Sequence, residues 1–214
     1  PKQRVLIESE LNSLLPIFKK YHGDCAKFIL LTGARISEAT SATWSQIDLK
    51  TKTWEIPAEN IKDTRTLNAR RKNPKQGFII PLSLQAIQLV IEARDTEIAR
   101  RQLNGLPERI QQQDLLFVGP RGAKLGNWDR WLKATTVKTG VAGWSAHALR
   151  RTTATLAGDL GAPPHIVSII LGHSNVGGQL VAGYNQSKYF SEHQQILQNI
   201  ADKLQSIESG DACE

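Results

Sequence analysis

With 214 residues, 40% of them hydrophobic and 22% charged, the chain is long and apolar enough to bury a core as one domain, and its composition excludes a disordered or fibrous polymer. A net charge of +7 and a pI near 9.6 favour a polyanionic partner through counterion release, without separating DNA from RNA or from a membrane surface. No apolar run is long enough to span a bilayer, no secretory core follows Pro1-Lys2-Gln3-Arg4, and the distant Cys25 and Cys213 fit neither a disulfide framework nor a zinc spacing, which points to a reducing cytosol.

Leu11, Leu14, Leu15 and Phe18 predict a helix over 8–21, and Ala26, Phe28, Ile29, Leu30 and Leu31 a buried helix over 24–31. Thr32-Gly33 breaks it, and a short helix is expected over 36–43, with Arg35 at its start, where free amides and the dipole also favour an anion. Thr53-Trp54-Glu55-Ile56 and Phe78-Ile79-Ile80-Pro81 read as two strands of a small antiparallel sheet. The long loop between them is the densest positive segment, with Lys62, Arg65, Arg70, Arg71, Lys72 and Lys75 against Asp63, and suits contacts to phosphate backbones.

Leu84 to Leu103 reads as a long helix with an apolar stripe, and its Arg100-Arg101 as an ordinary solvated pair. Helices are expected next over 128–139, with Asn127 as cap, and over 146–160, carrying His147 and Arg150 on one face with Arg151 pointing elsewhere. Pro163-Pro164 starts another helix that ends at Leu171-Gly172, just before His173. A short segment then presents Tyr184, and a last helix is expected over 191–207. The whole is mainly α with a small antiparallel β-sheet, an α+β fold.

Arg35 in T-G-A-R-I-S-E-A is followed by His147 and Arg150 in H-A-L-R, His173 in L-G-H-S and Tyr184 in A-G-Y-N. Two guanidiniums neutralise the nonbridging oxygens of a phosphodiester without losing their protons, and Arg35 and Arg150 are the candidates. A phenol with a pKa near 10 needs a base or a positive field to attack phosphorus. The arginines supply the field, and His147 can take or return the proton. No G-x-x-x-x-G-K-[ST] motif and no carboxylate cluster for two metals is present, and His147, His165 and His173 lack the spacing of a metal site, so no metal and no cofactor are expected.

The order Arg, His-x-x-Arg, His, Tyr resembles the catalytic domain of tyrosine recombinases, the lambda-integrase family, and more closely the integrases of prophages and genomic islands. The resemblance covers 7–204. It implies a site-specific recombinase that cuts and rejoins DNA through a 3′-phosphotyrosyl intermediate on Tyr184, integrating or excising a phage or mobile element. Arg35, Arg150 and His173 would then bind the scissile phosphate, and Glu38 would orient Arg35. In the family a hairpin lysine protonates the departing 5′-hydroxyl; Lys62 is the first choice for this role, with Lys72 and Lys75 as alternatives.

The resemblance also implies double-stranded DNA as partner, a homotetramer on DNA that is a monomer or weak oligomer when free, and a cytoplasmic, nucleoid-associated protein of bacterial or phage origin. The stripe Leu197, Ile200, Leu204 and Ile207 either packs on the protein's own core or, as the family implies for the C-terminal helix at 189–207, docks onto a neighbouring protomer. The absence of Met, at position 1 included, is read as a piece cut from a longer integrase, so that 1–214 is one catalytic domain without its N-terminal DNA-binding region. Without that region, DNA binding is expected to be weak and salt-sensitive.

Two rival readings stand beside this one. A type IB topoisomerase shares the chemistry, and a non-catalytic DNA-binding or architectural domain would share the fold. Taken singly, Tyr184 reads as a packed aromatic, Arg35 as a capping or ion-paired arginine, and His22, His165 and His193 as surface or packing residues.

Overall fold

In the computed structural model of the chain, residues 4–57, 60, 77–172 and 186–210 are described, with the backbone alone at 186–188. Helix α1 covers Glu8–Leu14, shorter than expected, because Pro16 has no N–H to continue the ladder and the chain tightens into a 3₁₀ turn at Leu15–Ile17. Helix α2, His22–Thr32, is buried on nearly every side and forms the axis of the core. Its Asp24 is also buried, accepts the backbone N–H of Lys20 at 2.7 Å, and is pushed by burial up to about 6.

Gly33, at φ +68, ends α2 in the left-handed conformation. Helix α3 is only Ile36–Ala39. It stops before the expected Thr43 because residues 42–45 bond across to another segment: Leu116 N–H to the Ala42 carbonyl at 2.7 Å, and Ser45 N–H to that of Gln112 at 2.8 Å.

The sheet has three antiparallel strands rather than two, in the order β1 (Ile47–Asp48), β2 (Thr53–Ile56), β3 (Phe78–Pro81). Trp54 pairs with Ile47 on one side and Ile80 on the other, and is fully buried against Phe28 of α2. Its indole N–H donates to Gln46 Oε1 at 3.1 Å, so the buried ring keeps its polar handle satisfied. The two-residue β1 carries no alternation of its own.

Helices α4 (Leu84–Leu103), α5 (Trp128–Thr139), α6 (Ala146–Asp159) and α7 (Pro164–Ile170) start and end close to their expected bounds. Ser83 and Ser145 cap α4 and α6 by accepting the N–H groups of Ala86 and Ala148. Asn127 precedes α5 in the left-handed region, φ 54, and makes no side-chain cap. Around α5, Phe18, His22, Trp128, Trp131 and Trp144 form an aromatic cluster with centroids 5.0–5.8 Å apart, so His22 is a packing residue.

The Arg100-Arg101 pair is not solvated. Both guanidiniums converge on the buried carboxylate of Glu97 at 2.7 Å, and Arg101 also reaches Asp114 at 2.7 Å and the Arg109 carbonyl at 2.8 Å. This network fastens the end of α4 to the loop that follows it.

The last helix, α8 (Gln186–Ser209), is longer than expected. In this chain Leu197, Ile200, Leu204 and Ile207 are buried, and α8 packs on α1, α4, α6 and α7. Polar ties run alongside that packing, with Lys27 to Glu208 at 2.5 Å, Lys203 to Glu8 at 2.9 Å, and Gln198 to both Gln85 and Asp202. Among the described residues no helix is long and apolar enough to cross a membrane.

Candidate active site

The left-handed turn at Gly33 throws the chain sharply out of α2 and leaves Arg35 extended as the residue before α3. Glu38, one turn later and 5% exposed, accepts the Arg35 backbone N–H at 2.7 Å and its Nη1–H at 2.8 Å. One buried carboxylate therefore fixes both the backbone and the guanidinium of Arg35, which keeps 28% of its side chain exposed. Since α3 has only four residues, attraction for an anion at this point rests on the guanidinium rather than on a helix dipole.

Arg150, on α6, is 6% exposed. Its Nη1–H donates to the carbonyl of Gly33 at 2.5 Å and its Nη2–H to the carbonyl of Leu171. It thus ties the turn that carries Arg35 to the end of α7. Thr153 strengthens the same junction, its hydroxyl donating to the Leu30 carbonyl at 2.9 Å. Burial, and after it the charge of Arg35, lowers Arg150 to about 10, with Glu38 opposing; the guanidinium stays protonated at neutral pH.

His147 lies one turn before Arg150 and reaches solvent. Partial burial of its ring holds it below the ordinary imidazole value, and the cations Arg151, Arg150 and Arg35 push in the same direction. A neutral imidazole beside guanidiniums is suited to accept a proton. Arg151, which the sequence pattern turned away from the site, therefore still acts on it through its charge.

Gly172, at φ +53, lies two residues past the end of α7. A Cβ at this position would stand 3.8 Å from Phe78 Cε1 and 3.9 Å from Arg35 Nη1, so the backbone passes close to Arg35 just before His173.

The structure thus brings Arg35, Glu38, His147 and Arg150 together from α2–α3 and α6. Lys62, Arg65, Arg70, Arg71, Lys72, Lys75, His173 and Tyr184 lie outside the described residues. Sequence reasoning missed the carbonyls of Gly33 and Leu171 as the anchors of Arg150. The only signals were the glycines beside them, since backbone acceptors leave no mark in a sequence.

The profile of the phage integrase family matches residues 4–189. Prophage integrase IntA of Escherichia coli (strain K12) is 26% identical over 85% of this chain and 38% of its own length. Tyrosine recombinase XerD of Bifidobacterium longum (strain NCC 2705) is 30% identical over 70% of this chain and 45% of its own. The chain spans less than half the length of these curated relatives. Among solved structures, the Tn1549 transposon integrase in complex with circular intermediate DNA superposes with a TM-score of 0.58 at 18% identity, covering 82% of this chain and 59% of its own. XerA recombinase does so with 0.57 at 16%, covering 93% and 64%. The fold is that of these recombinases, and the match over most of its residues shows that this chain belongs to the phage integrase family.

Proposed function

We propose that this chain is the catalytic domain of a tyrosine-type site-specific recombinase acting on double-stranded DNA. The observation that carries this reading is the convergence of Glu38-held Arg35 and carbonyl-anchored Arg150 at the end of α7, immediately before His173, with His147 one helical turn from Arg150. Two fixed guanidiniums offer forked donors to one phosphodiester, and the protein dipoles that hold them are already in place before substrate arrives.

In the proposed reaction the Tyr184 Oη attacks the scissile phosphorus and its proton passes to His147. The phosphorus–O5′ bond breaks and Lys62 protonates the departing 5′-oxygen, with Lys72 or Lys75 as substitutes in that role. Arg35, Arg150 and His173 stabilise the charge that builds on the nonbridging oxygens. The product is a 3′-phosphotyrosyl bond, which keeps the energy of the broken phosphodiester; attack by a 5′-hydroxyl reverses each step and rejoins the strand.

The relation to a prophage integrase supports integration or excision of a mobile element as the biological setting. The loop cations Arg65, Arg70, Arg71, Lys72 and Lys75 are proposed contacts to the DNA backbone, and a tetramer on DNA is the proposed assembly.

The test is covalent trapping. Full-length protein is incubated with nicked duplexes from its element's attachment ends, denatured, and the DNA-linked residue mapped by mass spectrometry. A 3′-phosphoryl adduct on Tyr184, lost in Tyr184→Phe while DNA affinity persists, is the expected result. Site-specific binding without any adduct would favour an architectural domain, and an adduct on another residue would refute the assignment of Tyr184.

A further inference from the structure

Residues 173–185, which carry His173 and Tyr184, stand in the chain between Gly172, two residues past α7, and Gln186, the first residue of α8. The first end is fixed, because Arg150 holds the Leu171 carbonyl and Gly172 sits against Arg35 and Phe78. The second end is fixed to the same short helix. Tyr189, five residues beyond Tyr184, packs its ring on that of His165 in the first turn of α7, with centroids 4.8 Å apart and planes at 56°. Glu192, on the next turn of α8, places a carboxylate oxygen 3.8 Å from His165 Nε2. That nitrogen is buried and has no hydrogen-bond partner among the described residues, so the contact with Tyr189 is one of ring packing.

We propose that His165 is a positioning residue for the strand-cleavage step: it fixes the downstream end of the Tyr184-bearing segment onto the helix whose other end is held by Arg150. The inference rests on Tyr184 being the nucleophile. Helix α7 becomes a common base for the residues on either side of the segment, Gly172 before it and Tyr189 after it. A nucleophile must approach in line at near-contact distance, and small misplacements are expensive in rate. His165 touches no reacting atom; it acts through Tyr189.

The experiment measures the single-turnover rate of adduct formation on a nicked duplex at saturating DNA, with DNA affinity and thermal midpoint followed in parallel, all in the full-length protein. His165→Ala is expected to slow adduct formation by about tenfold, the scale of one aromatic pair, at unchanged affinity and with a midpoint lowered by only about 2–4 °C. His165→Phe keeps the ring contact and restores most of the rate. Tyr189→Leu reproduces the loss and adds little to that of His165→Ala. An unchanged rate in His165→Ala, or a loss that follows a midpoint lowered beyond that range and is not restored by Phe, overturns the inference. Wild-type protein that forms no adduct on Tyr184 removes the nucleophile assignment and this inference with it, an outcome distinct from an active wild type with an indifferent His165.

Discussion

Acidification removes stability from this protein through His193, a histidine outside the proposed catalytic set. It lies on α8, 2% exposed and stacked 6.4 Å from Phe78 of β3, and its Nε2 has no partner among the described residues. Burial lowers it from an ordinary 6.5 to about 4. Below 6.5 the unfolded chain therefore binds a proton that the folded chain refuses, so this contribution to stability is complete above about pH 6.5 and is lost as pH falls through about 4. At about 1.36 kcal/mol per pH unit, the loss is about 2 kcal/mol at pH ~5 and about 3 kcal/mol below pH ~4. Domains of this kind have total stabilities of about 5–15 kcal/mol, so this is a large fraction. The wild-type profile alone does not isolate the effect, because Asp24, raised from 3.8 to about 6, contributes in the opposite sense: its stabilisation is complete below 3.8 and lost as pH rises through about 6. The decisive comparison is urea unfolding of wild type and His193→Leu from pH ~7 to pH ~4.5. The variant should gain about 2 kcal/mol relative to wild type over that range, having no proton to bind at this position. Parallel curves, with a constant offset between them, would refute the reasoning.

Gly33→Ala should destabilise by about 2 kcal/mol or more in denaturant titration, because its Cβ would stand 2.7 Å from Ile170 Cγ2 and its φ of +68 disfavours any side chain; a neutral effect would mean the turn relaxes freely. The same change should depress cleavage, since the Gly33 carbonyl receives Arg150. Glu38→Gln, which removes the charge that holds Arg35, should slow adduct formation by about ten- to a hundredfold with DNA affinity nearly intact, and equal losses in both would argue against an orienting role. Glu97→Ala should cost about 3 kcal/mol in thermal or urea unfolding, as two largely buried guanidiniums lose a shared carboxylate; Arg101 keeps Asp114, which limits the loss.

Much of the helical framework was legible from apolar spacing and punctuation. The bounds of α4 and α5 follow from Ser83, Asn104, Asn127 and Gly140 around periodic stretches. The failures have local causes. Pro16 sits inside an apparently continuous stripe, α3 ends where its backbone bonds to residues 112–116 instead of itself, and β1 is too short to show a period. Arg100 and Arg101 resembled any exposed basic pair until the fold set the buried Glu97 beneath them. His193 stands four residues before Leu197, at the head of the stripe continued by Ile200, Leu204 and Ile207, but its polar ring hid its place on that buried face, where it stacks on Phe78 of β3.

By itself the sequence determined the chemistry available: two arginines, a histidine one turn from the second of them, a basic surface, and an ordered set of residue types suited to phosphodiester attack. It also determined most helices, because their periodicity is local. Only the tertiary structure decided that Arg150 is buried, that Gly33 and Leu171 receive its protons, and that Glu38 holds Arg35 by two bonds. Arg150 stands 117 positions from Gly33 and 21 from Leu171, and both bonds end on backbone carbonyls, whose location depends on how α2, α6 and α7 pack, so no side-chain pattern encodes them directly.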